Sequence, residues 1–209
     1  MLKGTLEVLI RKPREREHYE TRIQFCLTEL NRMGRMIDQL LLLARYESSK
    51  MNPHIETIVL SRHLENVIER VRLSALAKSI SITVDHAENA LVAADPGMLD
   101  MMFENILSNA IKYSPSGSLI AIVVERTATA IVCRICDQGI GIPEEKLNAV
   151  FDRFYRVDES RNSGTGGLGL GLSIVKKLAD LQLIKISVES KEKCGTSFSL
   201  TFPVRDINS

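Results

Sequence analysis

The sequence predicts an α+β protein: an N-terminal helical hairpin, one half of a dimeric four-helix bundle, followed by an α/β sandwich with a mixed sheet and helices on one face. Two observations carry this. Apolar residues recur by threes and fours along residues 15–48, the period of a long helix. From residue 57 the pattern changes to short alternating runs of β-formers interleaved with helical periods. The polar stretch SKMNPHIE at 49–56, broken by Pro53, separates the two regions and gives domains at 1–50 and 55–209.

In the first region LKGTLEVLI reads as a short helix that ends at RKPRER, where Pro13 removes a backbone donor. Ile23, Cys26, Leu30, Met33, Ile37, Leu40 and Ala44 then form a heptad seam. Two helices cannot bury that much apolar surface alone. A homodimer through the hairpin would bury it; packing on the chain's own C-terminal domain is the alternative.

In the second region TIVL is a strand. It leads into a helix with an apolar face of Leu64, Val67, Ile68, Val71 and Leu76. ISITVDH and ALVAAD alternate as strands, and PGMLDMMFENILSNAIKYS is a helix opened by Pro96. SLIAIVVERT and TAIVCRICD form a hairpin pair. EEKLNAVFDRFYR is short and helical, GLGLSIVKKLADLQ is a helix opening on glycines, and IKISVESK and TSFSLTFPV are the closing strands.

Composition narrows the function classes. Apolar residues make up 44% of the 209 and charged residues 25%, as in an ordinary soluble globular protein. A net charge of +1 gives no electrostatic basis for binding nucleic acid or an anionic membrane surface. No apolar run reaches the length of a span, so a membrane would be reached only through segments upstream of this chain. The N-terminus has no signal-peptide layout, so the expected location is cytoplasmic. Cys133 and Cys136 form a C-x-x-C, but residues three apart on a strand point to opposite faces, so free thiols are expected there and at Cys26 and Cys194. His18, His54, His63 and His86 lack partners at ligand spacing and read as surface or loop histidines.

Three stretches carry candidate chemistry. On the helix at 98–113, Leu99, Met102, Phe103, Ile106, Leu107 and Ala110 form a core stripe, while Asn105, Asn109 and Lys112 line another. Asparagine competes for backbone hydrogen bonds and is poor inside helices. This second stripe is either solvated, or a polar wall with amide oxygen for Mg²⁺ and a cation for phosphate. SGTGGLGLGLSIV places five glycines within 164–171 ahead of a helix. It reads as a linker, a mobile lid, or an anion site at a helix N-terminus. DQGIGIP at 137–143 closes a strand, and is either a tight turn or a pocket in which an acid reads a base.

Taken together, NILSNAIKYSPSG, DQGIGIP, VFDRFYRVD and GLGLGLSIV resemble the N box, first glycine box, F box and second glycine box of the ATP-binding catalytic domain of bacterial sensor histidine kinases. That family is shared with Hsp90, MutL and type II topoisomerases, and the resemblance covers about residues 55–204. The hairpin with LLLLARYESSK resembles the second helix of the dimerisation and phosphotransfer domain.

The resemblance implies ATP and Mg²⁺ as cofactors. The Asp137 carboxylate would accept a hydrogen bond from the adenine amino group, where guanine carries a repelling oxygen. Gly139 and Gly141 would give room for the base, and Ile142 belongs to the same cofactor-binding set. Asn105 matches the Mg²⁺-binding asparagine. Asn109 and Lys112 match phosphate-side contacts, and Tyr113 a nucleotide-packing aromatic. Phe154 matches the F-box anchor, and Arg156 an arginine that reaches the γ-phosphate. Gly167, Leu168, Gly169, Leu170 and Gly171 match the phosphate loop, and Thr196 lies in an imperfect third glycine box with Lys193 where glycine is common. Asn105, Lys112 and Arg156 would be the catalytic set.

By the same resemblance the γ-phosphoryl group passes from ATP to a histidine, and then to an aspartate on a response-regulator receiver domain, the expected partner. The family's acceptor histidine, in HELRTPL, falls upstream of a position like Gly4 and so outside this chain. ATPase relatives carry a general-base glutamate one turn before the first asparagine. Met101 stands there, and Glu104 points about 100° away around the helix. Transfer to a protein side chain is therefore expected over hydrolysis. The competing readings are an ATPase of the Hsp90 or MutL kind and a non-catalytic nucleotide-sensing module.

Overall fold

The computed structural model describes residues 4, 7–9, 15–47, 52–86, 90–157 and 169–203. The chain divides into two compact units, Met1–Lys50 and Met51–Ser209. The first contains helix α1, Arg16–Glu47. Within the chain alone its seam faces outward: Ile23, Leu30, Met33 and Ile37 are each about half exposed, whereas Cys26 is buried. The side chains of Leu40 and Ala44 lie outside the described residues.

The second unit runs β1 (Glu56–Val59), α2 (Leu60–Ala77), β2 (Ser81–His86), β3 (Leu91–Ala94), α3 (Pro96–Tyr113), β4 (Leu119–Arg126), β5 (Ala130–Cys136), α4 (Gly171–Leu181), β6 (Lys185–Lys191) and β7 (Gly195–Pro203). Strands β1 and β3 form a two-stranded antiparallel sheet. The others form a five-stranded sheet in the order β2-β4-β5-β7-β6. It is mixed: β2 and β4 pair in parallel, and the remaining neighbours pair antiparallel. A parallel pair needs a crossover. The chain from β2 to β4 supplies one that includes α3, which therefore lies against the sheet.

Strand alternation defines one core face. Ile120, Ile122 and Val124 of β4, Ile131, Cys133 and Ile135 of β5, and Phe198, Leu200 and Phe202 of β7 are all buried. Their registers stack them in rows such as Val124, Cys133 and Leu200. Helices supply the other half of the core: Leu64, Val67 and Val71 from α2, Leu99, Met102, Phe103, Ile106 and Leu107 from α3, and Ile174, Val175 and Leu178 from α4. Cys133 faces this core, and burial pushes its thiol up to about 12. Cys136 turns to the opposite face, 3.3 Å from the Ser197 hydroxyl.

Three local expectations differ from the structure. The apolar face of α2 ends on Ala75, which is buried, while Leu76 is 59% exposed. The helix terminates at Ala77 into a turn, so its last residue in phase with the core is the smaller one. EEKLNAVFDRFYR forms two separate 3₁₀ turns, Glu144–Lys146 and Ala149–Phe151, not one helix. Single 3₁₀ turns let the chain bend so that Phe151 reaches the sheet. His63 is not a plain surface residue. It lies on α2, half-buried, with Nδ1 3.0 Å from the Asp100 carboxylate.

Candidate nucleotide site

The site is built around the end of β5. Asp137 extends that strand's pairing by one step, its N–H donating to the Thr196 carbonyl at 2.8 Å. Its side chain then turns inward. Oδ1 accepts the Gly139 N–H at 2.8 Å and the Thr196 N–H at 3.1 Å. These bonds fix the carboxylate and use only one of its oxygens, which leaves Oδ2 for a ligand donor. The group is half-buried, and desolvation raises its pKa above the ordinary carboxylate value, against the lowering effect of the two N–H donors.

The glycines around it sit where side chains have no room. A Cβ on Gly139 would lie 2.7 Å from Asp137 Oδ1 and 3.0 Å from the Tyr113 carbonyl. Gly141 has φ +70 and presses on the Lys191 carbonyl, so a side chain there meets both strain and a clash. Ile142 follows, its N–H donating to the Ser190 hydroxyl at 2.8 Å. Ser190 also donates to the Gly195 carbonyl at 2.7 Å. With its single proton so used, the Thr196 hydroxyl, 3.0 Å away, donates to it. Thr196 is buried by this bond. Ser190 joins the base of the loop to the β6–β7 hairpin, and nothing in KISVESK marks it in the sequence.

Helix α3 forms the second wall. Asp95 starts it, accepting the Met98 N–H at 3.0 Å, with Pro96 in the first turn. Asn105, Asn109 and Lys112 are all half-buried along one side. Asn105 Nδ2 donates to the Met101 carbonyl at 2.9 Å, which orients the amide. Its Oδ1 faces Gly171, where a Cβ would lie 2.8 Å away. Lys112 reaches over Tyr113, with Nζ 3.1 Å from the phenol oxygen and 4.6 Å from the ring centroid. Tyr113 is 43% exposed, and its carbonyl accepts the Ile140 N–H at 3.3 Å. This contact joins α3 to the loop after β5.

Helix α4 closes the third side. Leu170 is buried and precedes the first turn, whose N–H groups carry no side-chain cap. Such an end suits an anion. The Gly169 carbonyl accepts the Phe154 N–H at 2.9 Å. Gly167 and Leu168 lie outside the described residues. Phe154 itself is 60% exposed with φ +63. The ring that packs on the sheet is Phe151, edge-on to Phe198 at 6.4 Å and 81°. Arg156 is half-buried, in the segment that Lys146 holds through a 3.0 Å bond from Nζ to the Val157 carbonyl.

Glu104 turns away from this wall. Arg70 grips it at 2.8 Å and grips Asp100 at 2.8 Å with its other nitrogen. Among the described residues, no helix is long and apolar enough to cross a membrane, and no group of three or more His, Cys, Asp or Glu could hold a metal ion.

Sensor-like histidine kinase SenX3 of Mycobacterium tuberculosis is 37% identical over 177 residues, which are 85% of this chain and 43% of that protein. This chain thus spans less than half of that relative's length. Among solved structures, Acinetobacter baumannii histidine kinase AdeS superposes with a TM-score of 0.78 at 19% identity, covering 98% of this chain and 94% of that one. Histidine kinase ThkA, solved with response regulator protein TrrA, gives 0.76 at 22% identity, over 97% of this chain and 56% of that one. Residues 94–206, from the end of β3 to just past β7, match the family of histidine kinase-, DNA gyrase B- and HSP90-like ATPases, and the chain belongs to that family.

Proposed function

We propose that this chain is the ATP-binding core of a sensor histidine kinase. The observation that carries the reading is the convergence of three elements: Asp137 with one fixed and one open oxygen, the Asn105 amide oxygen, and the uncapped start of α4. Asp137 Oδ2 accepts the adenine amino proton, with Gly139 and Gly141 leaving space for the ring. Lys112 and Asn109 meet the phosphates, and the α4 N-terminus adds further N–H donors. Asn105 Oδ1 suits Mg²⁺, a hard ion that takes oxygen ligands and would neutralise phosphate charge. Arg156 stabilises the transferring γ-phosphoryl group.

Transfer breaks the bond from the γ-phosphorus to the bridging oxygen and forms one to an imidazole nitrogen of the acceptor histidine, with ADP leaving. A response-regulator aspartate then receives the group; the partner of ThkA is of that kind. The exposed seam of α1 supports a homodimer through the hairpin, with Met1–Lys50 as the dimerisation and phosphotransfer unit. The core works in the cytoplasm, beneath a parent held in the inner membrane.

Hydrolysis to water is disfavoured. Met101 occupies the position one turn before Asn105, and Glu104 is held by Arg70. Titration with ATP, with and without Mg²⁺, tests the reading on the wild type and on Asn105→Ala. Asn105→Ala should lose more affinity with the metal than without it. Equal losses would make Asn105 merely structural, and a wild type that binds no ATP would overturn the function itself.

A further inference from the structure

We propose that Lys78 is a positioning residue for nucleotide binding, acting through the C-terminal turn of α3. Lys78 lies just past the end of α2, far from the sequence motifs of the site. Its ammonium donates to the carbonyls of Ile111 at 2.9 Å, Lys112 at 2.7 Å and Ser114 at 3.1 Å. An ammonium has three protons, and here each has a carbonyl. The backbone of Lys78 grips the same loop, its carbonyl accepting the Gly117 N–H at 3.0 Å. Three residues on, the Ser81 N–H donates to the Ser118 carbonyl at 3.1 Å. One residue thus holds the helix end and the loop that follows it.

The position matters for two physical reasons. The last carbonyls of a helix lack intrahelical partners, and together they form its negative pole. In α3 that pole coincides with Lys112 and Tyr113, where a polyanionic ligand is expected. A cation seated on the carbonyls cancels the local negative potential. It also fixes the direction of the last turn. The carbonyl of Tyr113 in that turn accepts from Ile140 and abuts Gly139, so the turn sets the spacing between the α3 wall and the base-binding loop.

The inference rests on the assignment of Lys112 to the phosphate side, and the test separates the two. ATP affinity is measured by titration for wild type, Lys78→Met, Lys78→Arg, Lys112→Ala and the double variant Lys78→Met with Lys112→Ala. Lys78→Met should weaken ATP binding by about tenfold, the effect of losing roughly 1.4 kcal/mol of charge-assisted bonding. Lys78→Arg, which keeps charge and donors, should recover most of it. The double variant should lose clearly less than the product of the two single losses, because both act through one turn.

Unchanged affinity in Lys78→Met would overturn the inference while leaving the Lys112 assignment intact. Losses that multiply, or an arginine that does not rescue, would reduce Lys78 to a fold-stabilising residue. Unchanged affinity in Lys112→Ala would instead refute the phosphate assignment. Should Lys78→Met not fold, Lys78→Gln, whose amide retains two donors, takes its place with the same readout.

Discussion

The amide oxygen of Asn105 closes on Gly171, and a Cβ at residue 171 would lie 2.8 Å from it. The contact brings the middle of α3 to the first turn of α4, so one glycine governs where the proposed metal ligand points. In Gly171→Ala the flexible amide must swing aside. Alanine is the better helix former, so the empty protein should keep its melting temperature. Affinity for Mg²⁺-ATP should fall by about tenfold, roughly 1.4 kcal/mol. Calorimetric titration checks the affinity and thermal unfolding checks the fold. A lowered melting temperature with unchanged affinity would remove Asn105 from the site.

Asp137 should trade stability for binding. Its raised pKa means that the folded state disfavours the charged form. For a carboxyl shifted upward, stability is highest below the unfolded pKa and falls as pH rises through the folded one. Asp137→Asn keeps an acceptor for Gly139 and Thr196 but removes the charge. The variant should therefore melt higher than wild type near pH 7 while binding ATP more weakly, by about 1.5–3 kcal/mol for a charge-assisted bond. Wild-type affinity should also decline as pH falls through the raised pKa, with the variant flat over the same range. A variant that melts lower and binds as well as wild type would contradict both halves.

Lys193 stands where the family resemblance leads one to expect glycine, and the backbone shows why glycine would suit. Its φ is +61, and its N–H donates to the Ile140 carbonyl at 2.7 Å, which locks the left-handed conformation in place. Left-handed geometry costs an L-residue about 1–2 kcal/mol, partly offset by the extra chain entropy glycine loses on folding. Lys193→Gly should gain about 0.5–1 kcal/mol, measured by urea unfolding. A loss of stability would show that the lysine side chain contributes there.

On α1, Ile37 is 55% exposed in the single chain. If the seam is a dimer interface, Ile37→Asp places a charge inside it and should shift the protein to monomer, at a cost of several kcal/mol or about that order. Light scattering on both proteins decides the matter. A wild type that is monomeric at high micromolar concentration would leave the seam without this role.

Much of the fold was legible because its signals are local. Alternation on β4, β5 and β7 and the core stripe of α3 follow from period alone, and the structure buries the residues that the period selects. What escaped depends on partners distant in sequence. VFDRFYR offers two phenylalanines, and only Phe198, far downstream, decides that Phe151 packs on the sheet while Phe154 stays exposed. Lys78 reads as an ordinary charge after a helix until α3 comes alongside. Ser190 has no motif, since its three bonds all reach across a hairpin or to another loop. The hydrogen bond that pulls Glu104 aside belongs to Arg70 on another helix, although the step of about 100° between neighbours on a helix already turns it from Asn105.

Asp95 has a consequence for anyone grafting this unit onto another protein. Its carboxylate begins α3 through Met98 and also holds the His54 N–H at 2.9 Å, while its own N–H rests on Gln182 at 2.7 Å. The chain entering the unit is thereby pinned to the start of the helix that bears Asn105, and β1 follows two residues later as the partner of β3. A chimera spliced after residue 54 would cut through that knot and should loosen the start of α3 even with residues 55–203 unchanged. Splice points belong upstream of Asn52, so that the bond from the His54 N–H to Asp95 stays within native sequence.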